Sequence, residues 1–160
     1  MDKRKILWVE RNPHRYTDSI PDLVKYFNQL KGLLSEEYDV DDKFELSHEI
    51  APIIREERSS DRPYEALLTH VPYKGRATSF DRKTAFRQKY GDSLKILTEI
   101  KTENPELYIV AYTGAVSTPN DAMDFVFKEE GPIDDIVLKS DDIRTNFENI
   151  RNAIEHGLGK

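Results

Sequence analysis

Four short apolar runs in this 160-residue chain each end on a polar residue able to do chemistry. Ile6-Leu7-Trp8-Val9 ends at Glu10, and Ala66-Leu67-Leu68 ends at Thr69. Ile109-Val110-Ala111-Tyr112 ends at Thr113, and Ile136-Val137-Leu138 ends at Lys139. If the runs are strands of one α/β sheet, their last residues meet at its carboxyl edge, where such folds place their sites. A carboxylate, two hydroxyls and an amine gathered there suit a phosphorylated small molecule or another anion. His70, next to Thr69, adds a group that can accept a phosphoryl group or exchange a proton. The commoner role of such a histidine is that of a loop residue at the sheet edge. His14, His48 and His156 are scattered without metal-ligand spacing.

The elements that would position these residues alternate between short apolar runs and longer segments of 3.6-residue period, the pattern of βα units around a parallel sheet. The first strand is expected over 4–10, with Asn12-Pro13 ending it in a polar loop. A helix starting near Ser19 carries Ile20, Leu23, Val24, Phe27, Leu30 and Leu34 on one face. An earlier start would bury Pro21 in the helix interior at a cost of ~3 kcal/mol. Residues 35–43 are acidic and loop-like, and 43–47 alternates as a second, edge-like strand should. Next come a short helix near 49–58, a third strand over 64–69 and a long polar loop over 70–83. A helix over 84–103, stopped by Pro105, presents Tyr90, Leu94, Leu97 and Ile100 or Lys101.

The fourth strand, 107–112, is apolar almost throughout, as a strand covered on both faces should be. Thr118-Pro119 opens a fourth helix with Met123, Val126 and Phe127 inward, and Gly131-Pro132 closes it. The fifth strand runs over 133–138. Ser140 is expected to cap the last helix, with Asp141 and Asp142 in its first turn and Ile143, Phe147, Ile150 and Ile154 as its apolar stripe. Trp8 and the tyrosines are read as core and rim, with Tyr112 placed where it can face a partner at the sheet edge. Five βα units, no repeat and no linker make 1–160 a single domain.

Composition bounds the function. Hydrophobic residues make up 38% and charged residues 34%. No apolar run approaches the ~20 residues of a membrane span. The basic start, Met1 to Lys5, leads into only four apolar residues, too few for a signal peptide. Cysteine is absent, which excludes disulfides, thiolate metal sites and cysteine nucleophiles. A cytoplasmic protein without membrane attachment is expected. The net charge is −6, but Lys74, Arg76, Arg82, Lys83, Arg87 and Lys89 face Asp81 alone, a local +5. The remaining −11 argues against direct nucleic-acid binding, whose affinity comes largely from phosphate neutralisation. The basic stretch reads as a solvated loop and helix face, or as a local anion site.

Taken together, the four strand ends resemble the receiver domain of two-component response regulators over nearly the whole chain. The resemblance implies a flavodoxin-like (βα)5 doubly wound sandwich, a five-stranded parallel sheet in the order 2-1-3-4-5. Receivers carry two acidic residues after strand one, which hold Mg²⁺, and a phosphorylated aspartate after strand three. They carry a threonine or serine after strand four and a lysine after strand five, which bind the phosphate. Here Glu10-Arg11 stands at the acidic pair, Thr69 at the acceptor, Thr113 at the hydroxyl and Lys139 at the lysine. Ser140 stands next in place of the usual proline, and Ile136 stands where an aromatic switch residue is common. A threonine hydroxyl has no ionised form near pH 7, and Arg11 would repel Mg²⁺. The resemblance therefore implies a degenerate receiver with no phosphoacceptor, no metal and no cofactor.

Two function classes are compatible with these residues. The first is a non-catalytic regulator acting on a protein partner, or on a second copy, through the face of helix four, strand five and helix five that receivers commonly use. The second is a protein or enzyme handling a phosphorylated small molecule or nucleotide, with Glu10, Thr69, His70, Thr113 and Lys139 as its candidates. For it, Gly114, Ser117 and Thr118 form a hydroxyl-rich turn whose backbone N–H groups could cradle an anion. The competing reading of that turn is a cap, Ser117 or Thr118, for helix four. The haloacid-dehalogenase Asp-x-Asp, a flavodoxin-style loop after strand one and the dinucleotide G-x-G-x-x-G are all absent. Glu10 and Lys139 are also placed to form an ion pair that seals the edge.

Overall fold

Ile6, Leu7, Trp8 and Val9 have no solvent exposure, so the first strand is covered on both faces, as its unbroken apolar run requires. The computed structural model of the protein describes residues 3–13, 22–114 and 120–159. Strand β1 (Arg4–Glu10) pairs with β2 (Tyr38–Phe44) on one side and β3 (Ala66–Thr69) on the other. Strands β4 (Tyr108–Thr113) and β5 (Asp135–Leu138) complete a five-stranded, all-parallel sheet in the order β2-β1-β3-β4-β5. This is the flavodoxin-like order that the resemblance implied.

Helices cover both faces. Helices α1 (Asp22–Glu37) and α5 (Ile143–Gly157) pack Phe27, Leu30, Leu34, Phe147, Ile150 and Ile154 against Ile6, Trp8, Leu68 and Tyr112. On the other face, α2 (Ile50–Arg58), α3 (Arg82–Glu103) and α4 (Asp121–Asp124) cover Leu7, Val9, Leu67 and Ile109. The alternation of adjacent strand residues between these two cores is the period-2 geometry of a strand. The expected helix start at Ser19 lies outside the described residues.

Three expectations need correction. Residues 38–44 form β2 directly after α1, where a loop over 35–43 and a strand over 43–47 were expected. The carboxylates that made this segment look loop-like are satisfied across the surface. Asp39 pairs with Arg62 at 3.0 Å, Asp42 with Lys31 at 2.6 Å, and Asp41 accepts from the Tyr64 hydroxyl at 2.6 Å. Charged side chains also suit an edge strand. The second correction concerns α5, which is capped by Asp142, accepting from the Thr145 N–H, rather than by Ser140. Ser140 instead bonds the Asn146 side chain through both its N–H and its hydroxyl, each at 2.9 Å.

The third lies in helix four. Asn120 caps α4 through the Met123 N–H at 3.1 Å, in the role expected of Ser117 or Thr118, which lie outside the described residues. The helix then widens into a π-helical turn over Phe125–Glu129, with the Glu130 N–H reaching the Phe125 carbonyl at 2.8 Å. Gly131 permits this ending, because a Cβ there would lie 2.5 Å from the Val126 carbonyl oxygen. Met123, Val126 and Phe127 are buried as expected.

The long loop before α3 is fastened to that helix. Gln88 accepts from the Thr78 N–H at 2.8 Å, and the Lys89 carbonyl accepts from the N–H groups of Lys74 and Gly75. Ser93 donates to the Pro72 carbonyl at 2.5 Å. The approach is so close that a Cβ at Gly75 would fall 1.8 Å from the Gln88 carbonyl oxygen. Of the basic stretch, Arg87 is held bidentate by Glu130 at 2.7 and 2.8 Å, while Lys83 lies 3.9 Å over the Phe125 ring and Lys89 5.5 Å over Tyr73. These cations are engaged on the surface of the loop and of α3.

Candidate functional site at the carboxyl edge

Each parallel strand delivers its last residue to one edge, and the ladder hydrogen bonds continue past the strand ends into the loops. His70 N–H reaches the Val9 carbonyl at 2.9 Å, Glu45 N–H the Glu10 carbonyl at 2.8 Å, and Lys139 N–H the Thr113 carbonyl at 2.9 Å. Glu10, Arg11, His70, Thr113, Gly114 and Lys139 are thereby brought to the wall of one open cleft of about 660 Å³. Thr69 is not on that wall. It is fully buried, and its hydroxyl donates to the His70 carbonyl at 2.7 Å.

The carboxylate and the amine meet. Lys139 Nζ lies 3.2 Å from Glu10 Oε1, which also accepts from the Arg11 N–H at 2.9 Å. Glu10 is 8% exposed and Lys139 half-buried, with its ammonium 4.9 Å over the Tyr112 ring. The ion pair expected from the sequence is therefore formed. A ligand entering the cleft meets an amine already neutralised by a carboxylate. Gly114 has room for a side chain, since a Cβ there would only touch the Lys139 stem at 3.9 Å.

His70 is a structural acceptor. Its Nε2 takes the Leu46 N–H at 2.9 Å, so that nitrogen carries no proton and the neutral ring holds its hydrogen on Nδ1. Burial is the main reason its pKa falls to about 4; the nearby Lys139 and Arg11 charges add to the fall and Glu45 opposes it. With Nε2 engaged, the imidazole is not placed to take the Thr69 proton. The histidine expected as a loop residue is thus a buried tie between the end of β3 and the segment after β2.

Tyr112 does not face a partner, as its position at the edge had suggested. It is fully buried, and its hydroxyl pairs with that of Tyr26 on α1. Tyr26 in turn accepts from Asn146 Nδ2 on α5 at 2.6 Å. Burial, then the Tyr26 hydrogen bond, pushes the Tyr112 pKa well above the usual phenol range. The hydroxyls are therefore neutral, and the chain Tyr112–Tyr26–Asn146–Ser140 ties β4, α1 and α5 together.

One charged residue of the cleft escaped the sequence reading. Glu45 holds a left-handed backbone, φ 69°, unusual for a residue with a side chain, and its Oε1 accepts from the Asn12 N–H at 3.1 Å. Lys89, from the basic stretch that the sequence also offered as a local anion site, reaches the same cleft from α3. Nothing in the local sequence announces the place of Glu45, which depends on how the loops after β1 and β2 settle against each other. Ser117 and Thr118, the other members of the expected anion turn, lie outside the described residues. Among the described residues, no group of three or more His, Asp or Glu side chains is placed to hold a metal ion, and no helix is long and apolar enough to cross a membrane.

No family model matches the chain, and no curated protein does. Solved structures do. The signal receiver domain of an HD domain-containing protein from Pseudomonas fluorescens Pf-5 superposes with a TM-score of 0.55 at 18% identity, covering 99% of both chains. The isolated REC domain of RcsB from Salmonella enterica serovar Typhimurium gives 0.57 at 18% identity, over 98% of this chain and 91% of that one. A CheY-like response regulator receiver domain protein from Methanospirillum hungatei JF-1 gives 0.52 at 15% identity, over 98% of both. The fold of this chain is that of response-regulator receiver domains.

Proposed function

We propose that this chain is a receiver-like regulatory domain that does not accept a phosphoryl group and works by contact with a protein partner or a second copy of itself. One observation carries the reading: Thr69, at the position matching the receiver's acceptor, is buried with its hydroxyl bonded to the neighbouring carbonyl, while Glu10 occupies Lys139. A phosphoryl group arriving at this edge would find no carboxylate nucleophile at the end of β3 and a cation, Arg11, beside Glu10. The receiver domains it resembles in fold include ones solved with the phosphomimetic beryllofluoride. This chain would hold one state without that trigger. The contact face is that of α4, β5 and α5, and the domain acts in the cytoplasm as a non-enzymatic component of a signalling pathway.

The test has two arms. Thermal unfolding with Mg²⁺ and beryllofluoride, and with acetyl phosphate, is expected to leave the midpoint unchanged. Sedimentation velocity over a concentration series is expected to show an association. Asn149→Arg or Asn152→Arg, at exposed α5 positions beside β5, should remove it. A Mg²⁺-dependent stabilisation by beryllofluoride would overturn the reading.

A second reading rests on the cleft itself. Arg11, Lys89 and Lys139 outnumber Glu10 and Glu45 on its wall, a surplus of one cation that suits a phosphorylated small molecule or nucleotide. A stabilising shift with such a compound and none with beryllofluoride would favour it.

A further inference from the structure

Phe80 is fully exposed and Tyr73 is 64% exposed, the two large hydrophobic side chains that the described residues leave in solvent. Both fall in or beside the stretch where Lys74, Arg76, Arg82, Lys83, Arg87 and Lys89 face Asp81 alone. Phe80 directly precedes Asp81, which caps α3 by accepting from the Thr84 N–H at 3.0 Å. An apolar residue at that place often folds back onto the fourth residue of the helix, here Ala85. Full exposure means that Phe80 makes no such contact. The backbone that carries it is nonetheless held. Gln88 accepts from the N–H groups of Thr78 and Ser79 at 2.8 and 3.2 Å and donates to the Thr78 hydroxyl at 3.0 Å. An aromatic side chain on a fastened loop costs little ordering when a partner covers it.

Charge decides what would cover it. Arg87 is paired with Glu130, whereas Lys74, Arg76, Arg82, Lys83 and Lys89 form no ion pair among the described residues. We propose that the loop over 73–80 and the first two turns of α3 are a docking surface for a short acidic segment of a partner protein. Its carboxylates meet Arg76, Arg82 and Lys83, and an apolar residue beside them packs on Phe80. Exposed aromatic and arginine side chains are the types that protein interfaces use as anchors. The surface is small, since Arg82 and Lys89 lie about 10 Å apart along the helix axis. An extended segment of about four residues spans that length. The rest of the chain carries −11, and charges separated by more than about 8 Å are largely screened at physiological salt. A short acidic segment therefore meets the cations alone. A nucleic-acid strand or an anionic bilayer extends past them onto the acidic remainder. This docking is independent of any phosphoryl chemistry at the carboxyl edge.

A displayed library of short peptides built from Asp, Glu, Leu, Phe and Gly, panned on the full chain, supplies the probe. Recovered peptides should join carboxylates to an apolar residue and bind with a dissociation constant on the order of 10–100 μM. The amide resonances they move in the ¹⁵N-labelled chain should cluster over 73–89. Phe80→Ser should weaken binding about tenfold, and Arg76→Glu with Arg82→Glu at least about thirtyfold. All three positions are exposed, so circular dichroism should match the wild type; if the double variant is not folded, Phe80→Ser decides alone. Asn149→Arg on α5 should leave peptide affinity unchanged, which separates this surface from the face of α4, β5 and α5. A library with Lys and Arg in place of Asp and Glu should give no binder here. Phosphatidylserine-containing vesicles and an oligothymidylate should leave the same amides unmoved at equal salt. Three results overturn the proposal: no acidic binder recovered, affinity unaltered in the Phe80 and arginine variants, or vesicles or oligothymidylate bound in preference to the peptides.

Discussion

At the scale of single residues, the edge is defined by which polar groups are already spent. Lys139 is held by Glu10, Thr69 by the His70 carbonyl, and His70 by the Leu46 N–H. The last of these makes stability depend on pH. A histidine whose pKa falls from 6.5 unfolded to about 4 folded binds more protons when unfolded, so between those values acid favours unfolding. Its stabilising effect is fully present above pH 6.5 and is lost as the pH falls towards 4. Each pH unit in that window changes the balance by about 1.4 kcal/mol, so the whole window is worth roughly 3 kcal/mol. His70→Gln keeps an acceptor for the Leu46 N–H without a titrating group. Urea unfolding at pH 7 and pH 5 should show the wild type losing about 2 kcal/mol more than His70→Gln. Equal losses would mean that the imidazole titrates as freely in the folded chain as in solution. The sequence made the strand-end residues legible because apolar runs end visibly. It could not show which of them are spent, since the partners come from distant segments.

At the scale of elements, the same contrast recurs. Strands β1, β3, β4 and β5 and the stripe of α5 arise from burial patterns that any sheet with two covered faces imposes. Strand β2 was hidden because Asp39, Asp41 and Asp42 depress its hydrophobicity, and their partners Arg62, Tyr64 and Lys31 lie on other elements. The Tyr112–Tyr26–Asn146 chain was hidden for the same reason, since each of its members sits on a different element. Its energetics are asymmetric. Tyr112→Phe leaves Tyr26 bonded to Asn146 and should cost about 1 kcal/mol. Tyr26→Phe leaves the fully buried Tyr112 hydroxyl without that partner and should cost about 2 kcal/mol, near the unsatisfied-donor penalty. In the double variant the two costs should not add, because the orphaned hydroxyl is gone. Chemical denaturation of the three variants checks this, and simple additivity would show that the two hydroxyls do not interact.

At the scale of the molecule, a receiver fold carries at its carboxyl edge residues that depart from the pattern the resemblance implies, and of its five key positions the second acidic one and the acceptor are changed, to Arg11 and Thr69. On the proposed reading that these two residues withhold phosphate chemistry from the edge, replacing them with the receiver's carboxylates should create a response. Arg11→Asp with Thr69→Asp would place three carboxylates, with Glu10, beside Thr113 and Lys139. Without ligand the variant should be less stable than the wild type, because a carboxylate replaces a side chain that is fully buried. With Mg²⁺ and beryllofluoride at a hundredfold excess over the dissociation constant, binding contributes about 2.7 kcal/mol, which raises the melting midpoint by roughly 5–10 °C in a chain of this size. Neither single substitution should respond, since one leaves no acceptor and the other leaves a guanidinium beside the metal position. Differential scanning fluorimetry of the four proteins, with and without the two ions, is sufficient. A response in the wild type would place phosphate chemistry on residues other than these. Silence in the double variant would mean that the ends of β1 and β3, although parallel and in register, do not converge as a phosphoacceptor site must.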